Sequence, residues 1–130
     1  MADDVLSAKA AYQDLFLRSL DSILLVDIPT GDILEANDAS VNLFKISPDQ
    51  LITKNIYPFC KSELLADFKK MIRIASRRYH PKTFEVVLNV GNPGTEVVGE
   101  VAASPLKLND QKEVLQIIIR DITEKKEAQR

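Results

Sequence analysis

The side chains that could do chemistry are few and stand far apart. The chain has one cysteine, Cys60, and one histidine, His80. Nucleophilic catalysis or metal binding needs several such groups brought together. The sequence offers no Ser/His/Asp set, no cysteine–histidine cluster and no glycine loop that would cradle a phosphate. A lone thiol also excludes an internal disulfide. Glu85, Glu96 and Glu100 lie scattered in strand-like runs and read as solvated acids. Arg73, Arg77 and Arg78 fall near the end of a helical stretch, where cations complement the helix dipole, so they read as a solvated terminus, not an anion site. No enzyme is expected. The most informative stretch is a junction, where the apolar run Val114 to Ile119 ends at Arg120-Asp121-Ile122-Thr123-Glu124. There Asp121 is expected to cap a helix, with Glu124 three residues on, in the spacing that satisfies two orphan donors reciprocally. Asp121 and Thr123 are the residues expected to join that strand to the helix.

Bulk properties narrow the class. At 130 residues, 45% hydrophobic and 28% charged, the chain fits one globular unit with a single core. The formal charge is −2, from 17 basic and 19 acidic residues. Mixed along the chain, these give no broad positive field, so nucleic acid is not an expected partner. No apolar run approaches the roughly 20 residues of a membrane span. The start, Met1-Ala2-Asp3-Asp4, is acidic where a signal peptide is basic. A cytoplasmic location is therefore expected.

The junction must be positioned by the elements before it. Asp4 to Leu20 reads as an amphipathic helix, with Val5, Ala8, Tyr12, Leu15 and Ser19 at helical spacing and Leu6, Phe16 and Leu20 widening the stripe. Ser22 to Asp27 and Asp32 to Asn37 read as a hairpin around Ile28-Pro29-Thr30-Gly31. Asn37 or Asp38 caps a short helix through Phe44. Ser47-Pro48 opens another helical turn, proline sitting at the first position. Lys61 to Tyr79 predicts the longest internal helix, stopped by His80-Pro81. Strands follow over Thr83–Val90, Glu96–Ala103 and Glu113–Arg120, joined by turns at Gly91-Asn92-Pro93-Gly94 and Leu108-Asn109-Asp110-Gln111. The order predicts an α+β fold in which a five-stranded antiparallel sheet carries helices on one face. The expected division is an N-terminal helix over residues 1–20, a core over 21–122 and the start of an output linker helix over 123–130.

This order, with the residues at its joints, resembles a PAS domain from about Tyr12 to Glu127. Tyr12-Gln13-Asp14-Leu15-Phe16 leading to Asp21 to Asp27 is similar to the family's opening helix and first strand. Thr30-Gly31-Asp32-Ile33-Leu34-Glu35-Ala36-Asn37-Asp38-Ala39 resembles its glycine turn and asparagine-ended strand. Arg120-Asp121-Ile122-Thr123-Glu124 resembles its hand-over to an output helix. The resemblance implies a sensory module, often a homodimer, that feeds an output domain such as a histidine kinase or a cyclic-nucleotide enzyme, without chemistry of its own.

The family's cofactor motifs do not carry over. Light-sensing members place a flavin-reactive cysteine after an asparagine; here Asn55 is followed by Ile56, Cys60 comes four residues late, and Gly99 stands where a flavin-contacting asparagine is usual. Haem-binding members use a histidine within the long helix, whereas His80 falls after it. Flavin and haem are therefore not expected. By resemblance a pocket would be lined by Phe68, Met71, Val86, Leu88, Gly99, Val101, Ala103, Ile117 and Ile119. That wall is apolar, and burying an unpaired charge against it costs several kcal/mol, so an apolar or neutral small ligand is the one it would take. A self-packed core is expected ahead of a filled pocket. The leading expectation is thus a dimerising sensory module with a C-terminal output, and the alternative is a ligand-free scaffold for protein–protein interaction.

Overall fold

The computed structural model describes residues 12–91 and 94–129; Val5, Ala8 and most of the expected N-terminal helix lie outside them. Residues 12–18 form the described part of that helix, α1. Strands β1 (Ser22–Val26) and β2 (Ile33–Ala36) make the expected hairpin. Two short helices follow, α2 (Asp38–Phe44) and α3 (Pro48–Leu51), then 3-10 turns at Tyr57–Phe59 and Ser62–Leu64, and α4 (Leu65–Ala75). Strands β3 (Lys82–Val90), β4 (Thr95–Asn109) and β5 (Lys112–Asp121) complete the sheet, and α5 (Thr123–Ala128) leaves it. The sheet has five strands in the order β2-β1-β5-β4-β3, every neighbouring pair antiparallel.

Alternation along the strands sorts the faces. Leu24, Val26, Val86, Leu88, Val101, Leu115 and Ile117 point toward α2 to α4, where they join Phe44, Leu51, Ile56, Phe68 and Ile72 in one buried cluster. The opposite face is apolar in part, with Ile23, Leu25 and Val114 buried on it. Helix α1 lies on that side, because Tyr12 Oη donates to Gln116 Oε1 at 2.8 Å and Gln116 is the cross-strand neighbour of Leu25.

Three boundaries differ most from expectation. Helix α4 ends at Ala75 instead of Tyr79. Its last turn tightens, with Arg77 N–H donating to Ile74 O and Arg78 N–H to Ala75 O, while the Ser76 hydroxyl binds Arg73 O at 2.7 Å. A serine that bonds the preceding carbonyl competes with helix continuation. At the other end, Lys61 N–H is taken by Val87 O of β3, so Lys61 belongs to a staple on the sheet edge. Strand β4 runs to Asn109, well past Ala103, and carries Pro105 within it. Pairing with β3 stops at Lys82 and Ala103, whereas pairing with β5 continues. Beyond that point β4 is an edge strand, where a missing donor is tolerated.

The two halves meet at Asn37, which is fully buried. Its Oδ1 accepts from Ile23 N–H at 2.9 Å, Ser40 N–H at 3.2 Å and Ser40 Oγ–H at 2.8 Å. Its Nδ2 donates to Phe16 O at 2.9 Å and Asp21 O at 3.0 Å. One side chain therefore caps α2, fixes the end of α1 and continues β1. A second tie closes the β1–β2 turn, where Asp27 Oδ2 accepts from the Thr30 hydroxyl at 2.7 Å and Asp27 Oδ1 meets Lys112 Nζ at 3.2 Å. The Thr30 hydroxyl first, and the Lys112 ammonium after it, hold the Asp27 carboxyl below its ordinary pKa.

Two predictions follow from these ties. Asn37→Ala leaves the Ile23 N–H and the Phe16 carbonyl without the partner Asn37 supplies, while Asp21 O keeps the Ser19 hydroxyl, and should lower unfolding free energy by about 2–3 kcal/mol. Asn37→Asp keeps the acceptor but turns a carboxylate oxygen toward two carbonyls, so in urea titrations at pH 7 it should be no milder than Asn37→Ala. For Asp27, a folded pKa below the unfolded value of about 4 gives a contribution present above that value and lost as pH falls through the folded pKa. Asp27→Asn should be less stable than wild type at pH 7, and the gap should narrow as the pH is taken down from about 4.

Candidate functional site

The exit junction is built on Val98, near the start of β4. Its carbonyl accepts from Ile122 N–H at 2.9 Å, and its N–H donates to Thr123 Oγ1 at 3.0 Å. The Thr123 hydroxyl then donates to Asp121 Oδ1 at 2.6 Å, and Thr123 N–H donates to the same oxygen at 2.9 Å. Asp121 thus satisfies a first-turn donor of α5, but Thr123, not Glu124, closes the arrangement. Ile122 occupies the capping position and its side chain is buried. One turn on, Lys126 Nζ reaches Glu85 Oε1 of β3 at 3.0 Å. The start of α5 is thus held to two strands of the sheet, β4 and β3. Asp121 and Thr123, the residues expected at the junction, are joined there by Val98, whose backbone carries the link and leaves no trace in residue type.

The nine residues proposed as a pocket wall do not all sit together. Phe68, Val86, Leu88, Val101, Ala103, Ile117 and Ile119 belong to the buried cluster. Gly99 is buried beside them, while Met71 is only half-buried. The space over Gly99 is occupied: a Cβ there would stand 2.9 Å from Ile119 Cγ2 and 3.8 Å from Leu88 Cδ1 and Val86 Cγ1. Phe68 packs its ring against Tyr57 and Phe84, with centroids 5.8 and 6.1 Å away. A groove of about 450 Å³ lies elsewhere, near the end of β3, lined by Phe44, Ile46, Lys54, Asn55, Phe59 and Asn89 among others. Asn55 is already engaged there, its Nδ2 donating to Thr30 O at 2.7 Å and to Asp32 Oδ1 at 3.1 Å.

The remaining reactive groups are placed as follows. Cys60 is buried, pairs through a single bridge with Leu88 of β3, and burial pushes its thiol up in pKa; a protonated, enclosed thiol is a poor nucleophile. Ile56 is fully buried in the core. His80 is exposed, beyond the end of α4. Among the described residues, no group of three or more His, Cys, Asp or Glu could hold a metal ion, and no helix is long and apolar enough to cross a membrane.

Comparison with known proteins places this geometry. No curated protein matches the chain closely enough to count as a relative. Among solved structures, a PAS domain from a protein of Colwellia psychrerythraea superposes with a TM-score of 0.77 at 22% identity, covering 92% of this chain and 98% of that one. The PAS domain of an HTR-like protein from Haloarcula marismortui gives 0.73 at 20% identity, over 93% and 97% of the two chains. A PAS domain from a two-component sensor histidine kinase gives 0.71 at 17% identity, over 91% and 98%. At these identities the likeness is one of fold. The family described as PAS domain matches residues 20–124, from the residue before the Asn37-bound loop to the first turn of α5, and with that match the chain belongs to the PAS domain family.

Proposed function

We propose that this PAS domain is a signal-relay module that conveys the state of its sheet through Asp121 and Thr123 to an output domain, such as a histidine kinase or a cyclic-nucleotide enzyme. The observation that carries the reading is the double hydrogen bond from Val98 to Ile122 and Thr123. Because the same hydroxyl bonds both strand and cap, a change at β4 alters the first turn of α5 without unfolding either element. A homodimer is part of this reading, supported by α1 and the loop after it, where Leu15, Leu17 and Leu20 are 69%, 56% and 97% exposed. Large apolar side chains this exposed in sequence favour a covering surface.

The alternative is a ligand-free interaction scaffold, and the filled space over Gly99 favours it over a sensor of a large ligand. A small neutral molecule among the apolar side chains remains compatible with the relay. Four measurements separate these readings. With the domain fused to a reporter kinase, Asp121→Ala and Thr123→Val should each change output while costing about 1 kcal/mol of stability; unchanged output would remove the relay. Light scattering of the purified chain should give twice the monomer mass, and Leu15→Glu with Leu20→Glu should reduce it to one. For the interior, Gly99→Ala forces Ile119 to move and should destabilise by about 1–3 kcal/mol, with Ile119→Val restoring part of the loss. Mass spectrometry of denatured protein should release no stoichiometric small molecule if the core is self-packed; a released neutral compound would make the module a chemosensor.

A further inference from the structure

Helix α4 and the turn after it carry a charge imbalance that folding does not explain. Residues 69–82 hold Lys69, Lys70, Arg73, Arg77, Arg78 and Lys82, six of the 17 basic residues and none of the 19 acidic ones. The rest of the chain, with 11 basic and 19 acidic residues, is formally −8. Among the described residues, none of the six has a carboxylate within ion-pairing distance. The helix dipole accounts for only part of this, since its effect is confined to the last turn. Lys69 and Lys70 lie a turn earlier, and Arg77 and Arg78 lie past the end of the helix. Within the helix and its continuation, Lys69 with Arg73 and Arg73 with Arg77 are like charges at four-residue spacing, which destabilises a helix. Among the described residues, Lys69 alone finds partial compensation, 5.5 Å above the Tyr57 ring.

The cations also enclose a shape. Lys70, Arg73, Ile74, Arg77 and Arg78 line a groove of about 390 Å³, in which half-buried Ile74 provides an apolar floor between exposed charged heads. We propose that this groove docks a short acidic polypeptide segment that sets an apolar side chain on Ile74 and its carboxylates on the surrounding arginines. The size suits a few side chains. An extended polyanion such as a duplex or a lipid surface would also meet the acidic remainder of the chain, whose repulsion opposes it. Arginine forks favour carboxylates held in bidentate geometry. This proposal is independent of the relay at Asp121 and Thr123.

The test uses the whole chain and a fluorescein-labelled ten-residue peptide of Glu and Asp with one central Leu, followed by anisotropy. Binding should weaken steeply between 50 and 300 mM salt, and Arg73→Glu with Arg77→Glu should weaken it at least about tenfold at unchanged thermal midpoint. A peptide with Gln and Asn in place of the acids should not bind. Replacing the central Leu with Ser should weaken binding, as should Ile74→Ser in the protein. Equal affinity of the charge-reversed variant, or no saturable binding by the wild type, would overturn the proposal. So would tighter binding of phosphatidylserine vesicles or a DNA duplex through the same arginines, which would assign the patch to a different class of partner.

Discussion

The fold depends on how one buried amide is satisfied. A primary amide carries two donors and an acceptor with two lone pairs, and leaving any of them unpaired in the interior costs about 1–3 kcal/mol each. Asn37 meets that demand only when Phe16, Asp21, Ile23 and Ser40 are all in place. The condition fixes the end of α1, the loop into β1 and the start of α2 together. Ser22 and Ser40 extend the network, their hydroxyls 2.8 Å apart and buried. Because β1 then pairs with β5, from Ser22 opposite Ile119 to Val26 opposite Leu115, the register set at Asn37 reaches the strand that ends at the exit junction.

The two ends of β5 are therefore tied down by different chemistry. At its start, Lys112 meets Asp27 of the β1–β2 turn; at its finish, Arg120 meets Asp21 and the backbone enters the Val98 clamp. The ion pairs are exposed enough that each contributes little. The clamp is different in kind, since it uses a backbone donor and acceptor that the sheet would otherwise leave without partners beyond the last β4–β5 pair, Gly99 with Asp121. The junction is in effect one more rung of the ladder, with a threonine side chain standing in for a strand.

Much of this was legible in residue type and spacing, and the parts that were not have physical reasons. The order of elements, the α+β class and a cap at Asn37 or Asp38 come from hydrophobic period and turn chemistry, which are local; the structure places the cap at Asn37. The length of β4 was hidden by Pro105, which reads as a strand breaker until the partner strand is known to be absent on one side. The end of α4 was hidden because the Arg77-Arg78-Tyr79 stretch favours helix in isolation, while a Ser76 back-bond and a tightened turn end it. Of the pocket wall, strand alternation placed the strand residues on one face correctly, but Met71 depends on the rotation of α4, which periodicity fixes only loosely. The occupancy of the space over Gly99 depends on the Ile119 rotamer, which no sequence pattern records.

Glycine at position 99 brings core packing next to the exit junction. It lies between Val86 on β3 and Asp121 on β5, next in sequence to Val98, whose backbone holds α5. Its missing side chain lets Ile119 lie across the strand, and Ile119 in turn closes the core beneath the junction. Interiors at crystal-like density transmit small displacements instead of absorbing them. In the proposed relay, a change in the core at Leu88 or Ile119 would reach the β4 backbone by way of Gly99, next to the Val98 N–H that donates to Thr123. On that proposal the route from core to exit helix is two residues long on β4, Gly99 and Val98.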